Sequence, residues 1–158
     1  MAVLLVMIIV VDTKEQIPWR FDWLTNADIM IRHLKTGDYS INGHEDLLCI
    51  ERKKSVAEIA ANITQERFWR ELERMSKIKH RFIIFEFSYD EVVNFPESAD
   101  IKQEIKDRMR VKGPFILREI SRMQVEYDIN VLFCGHRSNA EMAAMSIIKR
   151  VKERYAII

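Results

Sequence analysis

Apolar residues run without a break from position 3 to position 11 and stop at Asp12. A β-branched and aliphatic run with no polar alternation predicts a strand covered on both faces. Residues 82–87 read as another buried-type strand, 129–134 as a final strand ended by Gly135, and 28–33 as a weaker strand candidate. Tyr39 to Ile41 and Leu47 to Lys53 flank Asn42-Gly43, a hairpin signal. Helical signals fill the gaps. Ser55-Val56-Ala57-Glu58 has the Ser-x-x-Glu form of a capping box and opens a helical stretch to about Lys79, broken near Thr64. Pro96 and Ser98 precede another, and Gly113-Pro114 begins one that runs to about Tyr127. Ser138 is placed as the cap of a last helix, whose Ala140, Ala144, Ile147 and Val151 recur at helical spacing. Strands alternating with helices predict a layered α/β fold.

Composition narrows the class. The 158 residues are 48% hydrophobic and 31% charged with only 4 Gly and 3 Pro, so disordered, collagen-like and low-complexity chains are excluded. With neither repeat nor linker, residues 1–158 are expected to form a single domain. Lys and Arg number 25 against 24 Asp and Glu, so any nucleic-acid role must rest on local patches. Cys49 and Cys134 sit inside apolar runs, as reduced, buried thiols of an intracellular protein do. The apolar start lacks a basic flank and a small-residue cleavage site, and it is too short to cross a bilayer. No signal peptide, transmembrane segment or membrane partner is therefore expected, and the location is expected to be cytoplasm, nucleoid or nucleus.

The acids are unevenly spread. Residues 1–51 hold eight (Asp12, Glu15, Asp22, Asp28, Asp38, Glu45, Asp46, Glu51) against four bases (Lys14, Arg20, Arg32, Lys35), a local charge of −4. Asp12 closes the first strand, Asp38 opens the hairpin and Glu51 lies near its far end. Carboxylates converging at strand ends can hold a hard divalent cation. Strand alternation sets Glu51 and Lys53 on one face and Arg52 on the other. Glu104-Ile105-Lys106 repeats the spacing but lies in a helical stretch, where i and i+2 do not face each other. The hairpin register is decisive. A two-residue turn at Asn42-Gly43 would oppose Asp38 to Leu47, whereas a four-residue loop over 43–46 opposes Asp38 to Glu51. A joint site needs the second register, and it is the one expected.

Val11-Asp12-Thr13-Lys14-Glu15-Gln16, Thr36-Gly37-Asp38 and Ile50-Glu51-Arg52-Lys53 together resemble the nuclease domain of the XPF/Hef family of structure-specific endonucleases, in the PD-(D/E)XK superfamily. The resemblance continues through residues 67–72, 82–86 and 127–135 and so covers nearly the whole chain in order. It implies a restriction-endonuclease-like three-layer fold, a mixed central sheet flanked by helices. It also implies a Mg²⁺- or Mn²⁺-dependent endodeoxyribonuclease that hydrolyses phosphodiesters near flaps, forks or junctions in DNA repair, recombination or replication. Asp12, Asp38 and Glu51 would be metal ligands or their close supports, and Lys53 the catalytic lysine beside Asp38 and Glu51. Two positions depart from the family pattern: Lys14 stands where Arg is common, and Ala57 where an acid is expected, with Glu58 one position later. Relatives commonly dimerise, and Phe115, Leu117, Ile120, Met123, Ile147, Ile148 and Val151 are the apolar candidates for a homodimer face; a partner nuclease or DNA-binding subunit is the other option.

Glu15, Arg52 and Glu58 complete the set as possible supports, Arg52 as a structural ion pair on the opposite face and Glu58 as the reciprocal half of the Ser55 cap. Arg67, Arg70, Arg74 and Lys77 recur at helical spacing as a basic ridge for DNA phosphates. The four histidines show no paired ligand spacing, and no glycine-rich loop suggests ATP. Two readings compete with catalysis: a non-catalytic DNA-binding or scaffolding subunit of a nuclease complex, and a protein-interaction domain whose acids merely punctuate turns.

Overall fold

A computed structural model describes residues 6–158. Six strands form one mixed sheet: β1 (Met7–Val11), β2 (Ala27–Ile31), β3 (Tyr39–Ile41), β4 (Leu48–Lys53), β5 (His80–Phe85) and β6 (Asn130–Phe133), in the order β2-β1-β3-β4-β5-β6. β1 pairs parallel with β2 and antiparallel with β3. β3 pairs antiparallel with β4, and β4, β5 and β6 run parallel. The carboxyl ends of β1, β4, β5 and β6 therefore share one rim, and β3 starts there. Positions 3–5 of the expected first strand lie outside the described residues.

Alternation along the central strands builds two cores. Cys49, Ile83 and Phe85 face α1 (Val56–Asn62), α2 (Glu66–Met75), α3 (Tyr89–Val93) and α5 (Gly113–Glu126). Leu48, Ile50 and Ile84 face the other side, where α6 (Arg137–Tyr155) lays Ala140, Ala144, Ile148 and Val151 against the sheet with Trp19, Phe21 and Tyr39. The helix α4 (Gln103–Arg108) buries none of its residues.

The expected hairpin register holds. Tyr39 pairs with Ile50, which sets Asp38 across from Glu51. The connection takes the six residues 42–47 rather than four, because His44 continues the turn by accepting from the amides of Leu47 and Leu48. The break near Thr64 is real and separates α1 from α2. Two expectations need correction. The cap of α6 is His136, not Ser138, since Gly135 at φ 85° turns the chain early and the helix starts at Arg137. Cys134 is only partly buried, lying just beyond the end of β6, while Cys49 is buried as expected.

Candidate active site

Among the described residues, four of the five buried polar or charged side chains belong to the stretch of the sheet rim that the sequence singled out: Asp12, Glu51, Arg52 and Lys53. Backbone bonds tie that rim together. The Asp12 amide donates to the Asp38 carbonyl at 2.8 Å, and the Asp38 amide to the Ile50 carbonyl at 2.9 Å. Asp38 Oδ2 accepts the Arg52 amide at 2.7 Å, so its carboxylate is aimed at β4. Gly37 makes this fit possible. Its φ is +79°, and a Cβ there would meet Cys49 Sγ at 2.4 Å.

Glu51 and Lys53 share the α1–α2 face of β4, with Lys53 Nζ 3.2 Å from Glu51 Oε1. Glu51 is only 6% exposed, and its Oε2 has no hydrogen-bond partner among the described residues. Burial pushes both carboxyls up: Asp38 to about 7, with Glu15 and Glu71 adding to the burial and the Arg52 amide and Lys53 opposing it. Glu51 is raised well above the usual range by burial and then by Asp38. Burial acts to lower Lys53, but Glu51, Glu58 and Asp38 outweigh it and hold the ammonium above its ordinary value. The site is thus short of positive charge although a lysine is already inside it.

Arg52 points the other way and is saturated. It donates Nε to Glu86 Oε2 at 3.0 Å and Nη1 to Glu15 Oε2 at 2.9 Å and to the Ile17 carbonyl at 2.8 Å, and its guanidinium lies 4.9 Å from the Trp19 ring centroid. Glu15 also accepts the Tyr39 hydroxyl at 2.7 Å, and Glu86 accepts the Trp19 indole at 2.9 Å. Arg52 and Glu15 therefore brace the back of the rim. Asp12 has both oxygens on backbone amides, Oδ1 on Leu34 at 2.8 Å and Oδ2 on Lys14 at 3.2 Å. Glu58 accepts the Lys54 amide through Oε2 and sits 3.8 Å from Lys53 Nζ through Oε1. The Ser55 cap on the Glu58 amide is present, but the reciprocal bond goes to Lys54 rather than Ser55.

These side chains open onto a cavity of about 310 Å³ lined by Asp12, Asp38, Glu51, Lys53 and Glu58, with Arg67, Glu71 and Arg74 among its other walls. A larger and more apolar cleft of about 600 Å³ lies elsewhere, between the loop at Trp23 and α6, and holds none of these carboxylates.

The sequence matches the ERCC4 domain over residues 11–144, a span that contains every residue of the cavity just described. The chain belongs to the ERCC4-domain family. Membership bears out the resemblance to XPF/Hef-type nuclease domains. No curated protein matches the sequence. Among solved structures, XPF from Aeropyrum pernix is similar with a TM-score of 0.63 at 18% identity, covering 90% of this chain and 65% of that one. XPF from Aeropyrum pernix in complex with DNA gives 0.64 at 17% identity, covering 94% and 66%. The chain spans about two thirds of the length of these structures. The restriction-endonuclease-like fold is the one expected.

Within the ERCC4 domain the basic ridge divides. Arg67 and Arg74 line the cavity, Lys77 lines the neighbouring cleft, and Arg70 pairs with Glu66 at 2.8 Å on the open surface. Among the described residues no three His, Cys, Asp or Glu side chains are gathered closely enough to hold a metal ion as they stand. Sequence reasoning missed Glu71 and Glu86. Glu71 stands one turn before Arg74 on the helix already assigned to the ridge, which was the available signal; Glu86 reaches Arg52 only through the sheet. Of the seven apolar candidates for a dimer face, Ile120, Met123, Ile148 and Val151 are spent on the domain's own cores. No described helix is long and apolar enough to cross a membrane.

Proposed function

We propose that this ERCC4 domain is a divalent-metal-dependent DNA endonuclease that hydrolyses phosphodiesters near flaps, forks or junctions, in repair, recombination or replication. One observation carries the reading: a buried Glu51 oxygen without a partner, beside a second desolvated carboxyl at Asp38 and a lysine held 3.2 Å away. Two such carboxyls are costly to keep charged unless a cation joins them, so the donor set fits Mg²⁺ or Mn²⁺. Asp38 and Glu51 would hold the ion, with Asp12, fixed by the Leu34 and Lys14 amides, as their support. When bound, the ion lowers the pKa of a water and stabilises charge on phosphoryl oxygens.

The chain's own residues do the rest. Lys53, kept charged by Glu51 and Glu58, is a fixed donor at the cavity floor that orients a water or the scissile phosphate. Arg67 and Arg74 at the mouth take neighbouring phosphates and set the strand across the carboxylates. Arg52 anchors β4 beneath them, its guanidinium held behind the sheet by Glu15, Glu86 and the Ile17 carbonyl and its amide held by Asp38.

A nuclease assay on flap and fork substrates in Mg²⁺ or Mn²⁺ tests the proposal. Glu51→Gln and Lys53→Ala are each expected to cut at least about 100-fold more slowly while leaving the fold intact. Turnover retained by either variant refutes the assignment. The competing reading, a DNA-binding scaffold without catalysis, draws on the three acids not being gathered into one set. It predicts fork binding that no divalent ion converts into cutting.

A further inference from the structure

Cations continue past the proposed catalytic cavity. Arg74 lines both that cavity and the next cleft, where Lys35 and Lys77 stand with it. Lys79 follows two residues on, its amide bonded to the carbonyl of Asp46, which lines the same cleft. Beyond it, Tyr155 near the end of α6 is joined through its hydroxyl to His80 Nε2 at 2.7 Å. Its ring is flanked by Lys79 Nζ at 5.4 Å and Arg154 Cζ at 5.7 Å from the centroid. Arg154 and Arg150 then rim a third cleft of about 320 Å³. Arg150 is paired with Glu153, and Arg81 with Asp128. Among the described residues Lys77, Lys79 and Arg154 have no acid partner. The local field shows in His80, which burial and then Arg154, Lys79 and Arg81 hold below the ordinary imidazole range.

We propose that this basic track, from Arg74 on α2 through Lys77 and Lys79 in the connection to β5 and on to Arg154 of α6, seats a duplex arm of the DNA substrate round the end of the sheet where β4 and β5 begin, away from the cleavage site. The inference rests on the reading of the cavity as a DNA-cleaving site. Its length follows from the sheet. His80 pairs with Leu48 and Phe85 with Lys53, so the Tyr155 end of the track lies five strand steps from Lys53. That is about 16 Å at ~3.3 Å per residue, or roughly five base pairs at ~3.4 Å of duplex rise. The chemistry favours a duplex over an unpaired strand. The track offers ammonium and guanidinium groups to phosphates, and the Tyr155 ring already faces two cations, so no open aromatic platform is left for bases. The surface would let the domain measure paired DNA on one side of the cut.

The test is binding of the full chain, in chelator, to forks whose duplex arm is about 4 or about 12 base pairs long. The wild type is expected to bind the longer arm about tenfold more tightly, from roughly two added phosphate contacts. The double variant Lys79→Ala, Arg154→Ala should erase that gain and lower the salt slope by about 2 on the long arm, leaving the short arm unchanged. Both side chains are exposed, so folding is not at stake, and Lys79→Arg with Arg154→Lys should restore the gain. Equal loss on both arms, no loss on either, or no dependence on arm length in the wild type overturns the proposal. Arm-dependent binding by a chain that never cuts in Mn²⁺ sinks the catalytic reading alone. Cutting without arm dependence sinks this one alone.

Discussion

The difference between Arg52 and Glu51 is the difference between a satisfied and an unsatisfied buried charge. Arg52 meets two carboxylates, a carbonyl and an indole face, so its burial costs little. Glu51 meets one ammonium and leaves an oxygen bare. Strand alternation alone separated these neighbours onto opposite faces. It could not reveal Glu86, which lies 34 positions from Arg52 and reaches it only because β5 pairs with β4. Asp38 carries the clearest consequence. Burial raises its carboxyl from 3.8 to about 7, so the folded chain holds a proton there that the unfolded chain gives up. The stabilisation this supplies is complete below about pH 4 and is lost as pH rises through about 7. Metal-free protein is therefore expected to be less stable at pH 8 than at pH 5, and Asp38→Asn should flatten that slope. A divalent ion must displace the same proton. Calorimetric titration with Mn²⁺ at pH 6 should give heats that depend on the ionisation enthalpy of the buffer. Heats independent of buffer would mean the ion does not meet Asp38.

Among the elements, strands were easier to read than helix starts. An uninterrupted apolar run gave β1, and the shorter run over 82–85 gave β5, because a strand buried on both faces has no polar alternation to confuse; β6 is instead an edge strand, with Asn130 exposed and Val131, Leu132 and Phe133 half-buried. The register of β3 on β4 was legible from the requirement that Asp38 meet Glu51, but the six-residue connection was not, since it depends on where His44 turns. The helix α3 was missed although Ser88-Tyr89-Asp90-Glu91 repeats the Ser-x-x-Glu signature used at Ser55, and here the capping box is complete. Ser138 was misjudged because capping chemistry cannot outrank a glycine that has already turned the chain three residues earlier. Gly37 is where an element's geometry serves the site. Its positive φ disfavours any side chain, and an added methyl would press into the buried Cys49 sulfur and the Ile50 carbonyl. Gly37→Ala is expected to cost about 2–3 kcal/mol, from a left-handed penalty of ~1–2 plus overpacking. Denaturant unfolding measures it. A change below about 0.5 kcal/mol would mean that the Thr36–Asp38 turn shifts freely, and with it the Asp38 carboxylate.

The whole molecule explains why an electrostatically strained rim can persist. Successive residues of β5 feed different cores, Ile84 toward α6 and Phe85 toward α1, α2 and α5, so the sheet is clamped from both sides along its middle. That packing holds Asp38 and Glu51 at one rim with the single ammonium of Lys53 between two desolvated carboxyls, and the strain is exported to global stability. Glu51→Gln removes a buried carboxyl whose Oε2 has no partner, at nearly constant volume, while Lys53 keeps Glu58 at 3.8 Å. In chelator the variant is expected to be more stable than the wild type by about 1 kcal/mol, or roughly 2–4 °C in Tm for a chain of this size. Divalent ion should reverse the order. An ion at about 100 times its Kd adds ~2.7 kcal/mol to whichever chain binds it, and only the wild type keeps the carboxylate that does. Thermal unfolding with and without Mn²⁺ should therefore give curves that cross between the two proteins. If the variant is the less stable one in chelator, Glu51 is an ordinary acid held in place by Lys53, and the rim has no vacancy of charge for a metal to fill.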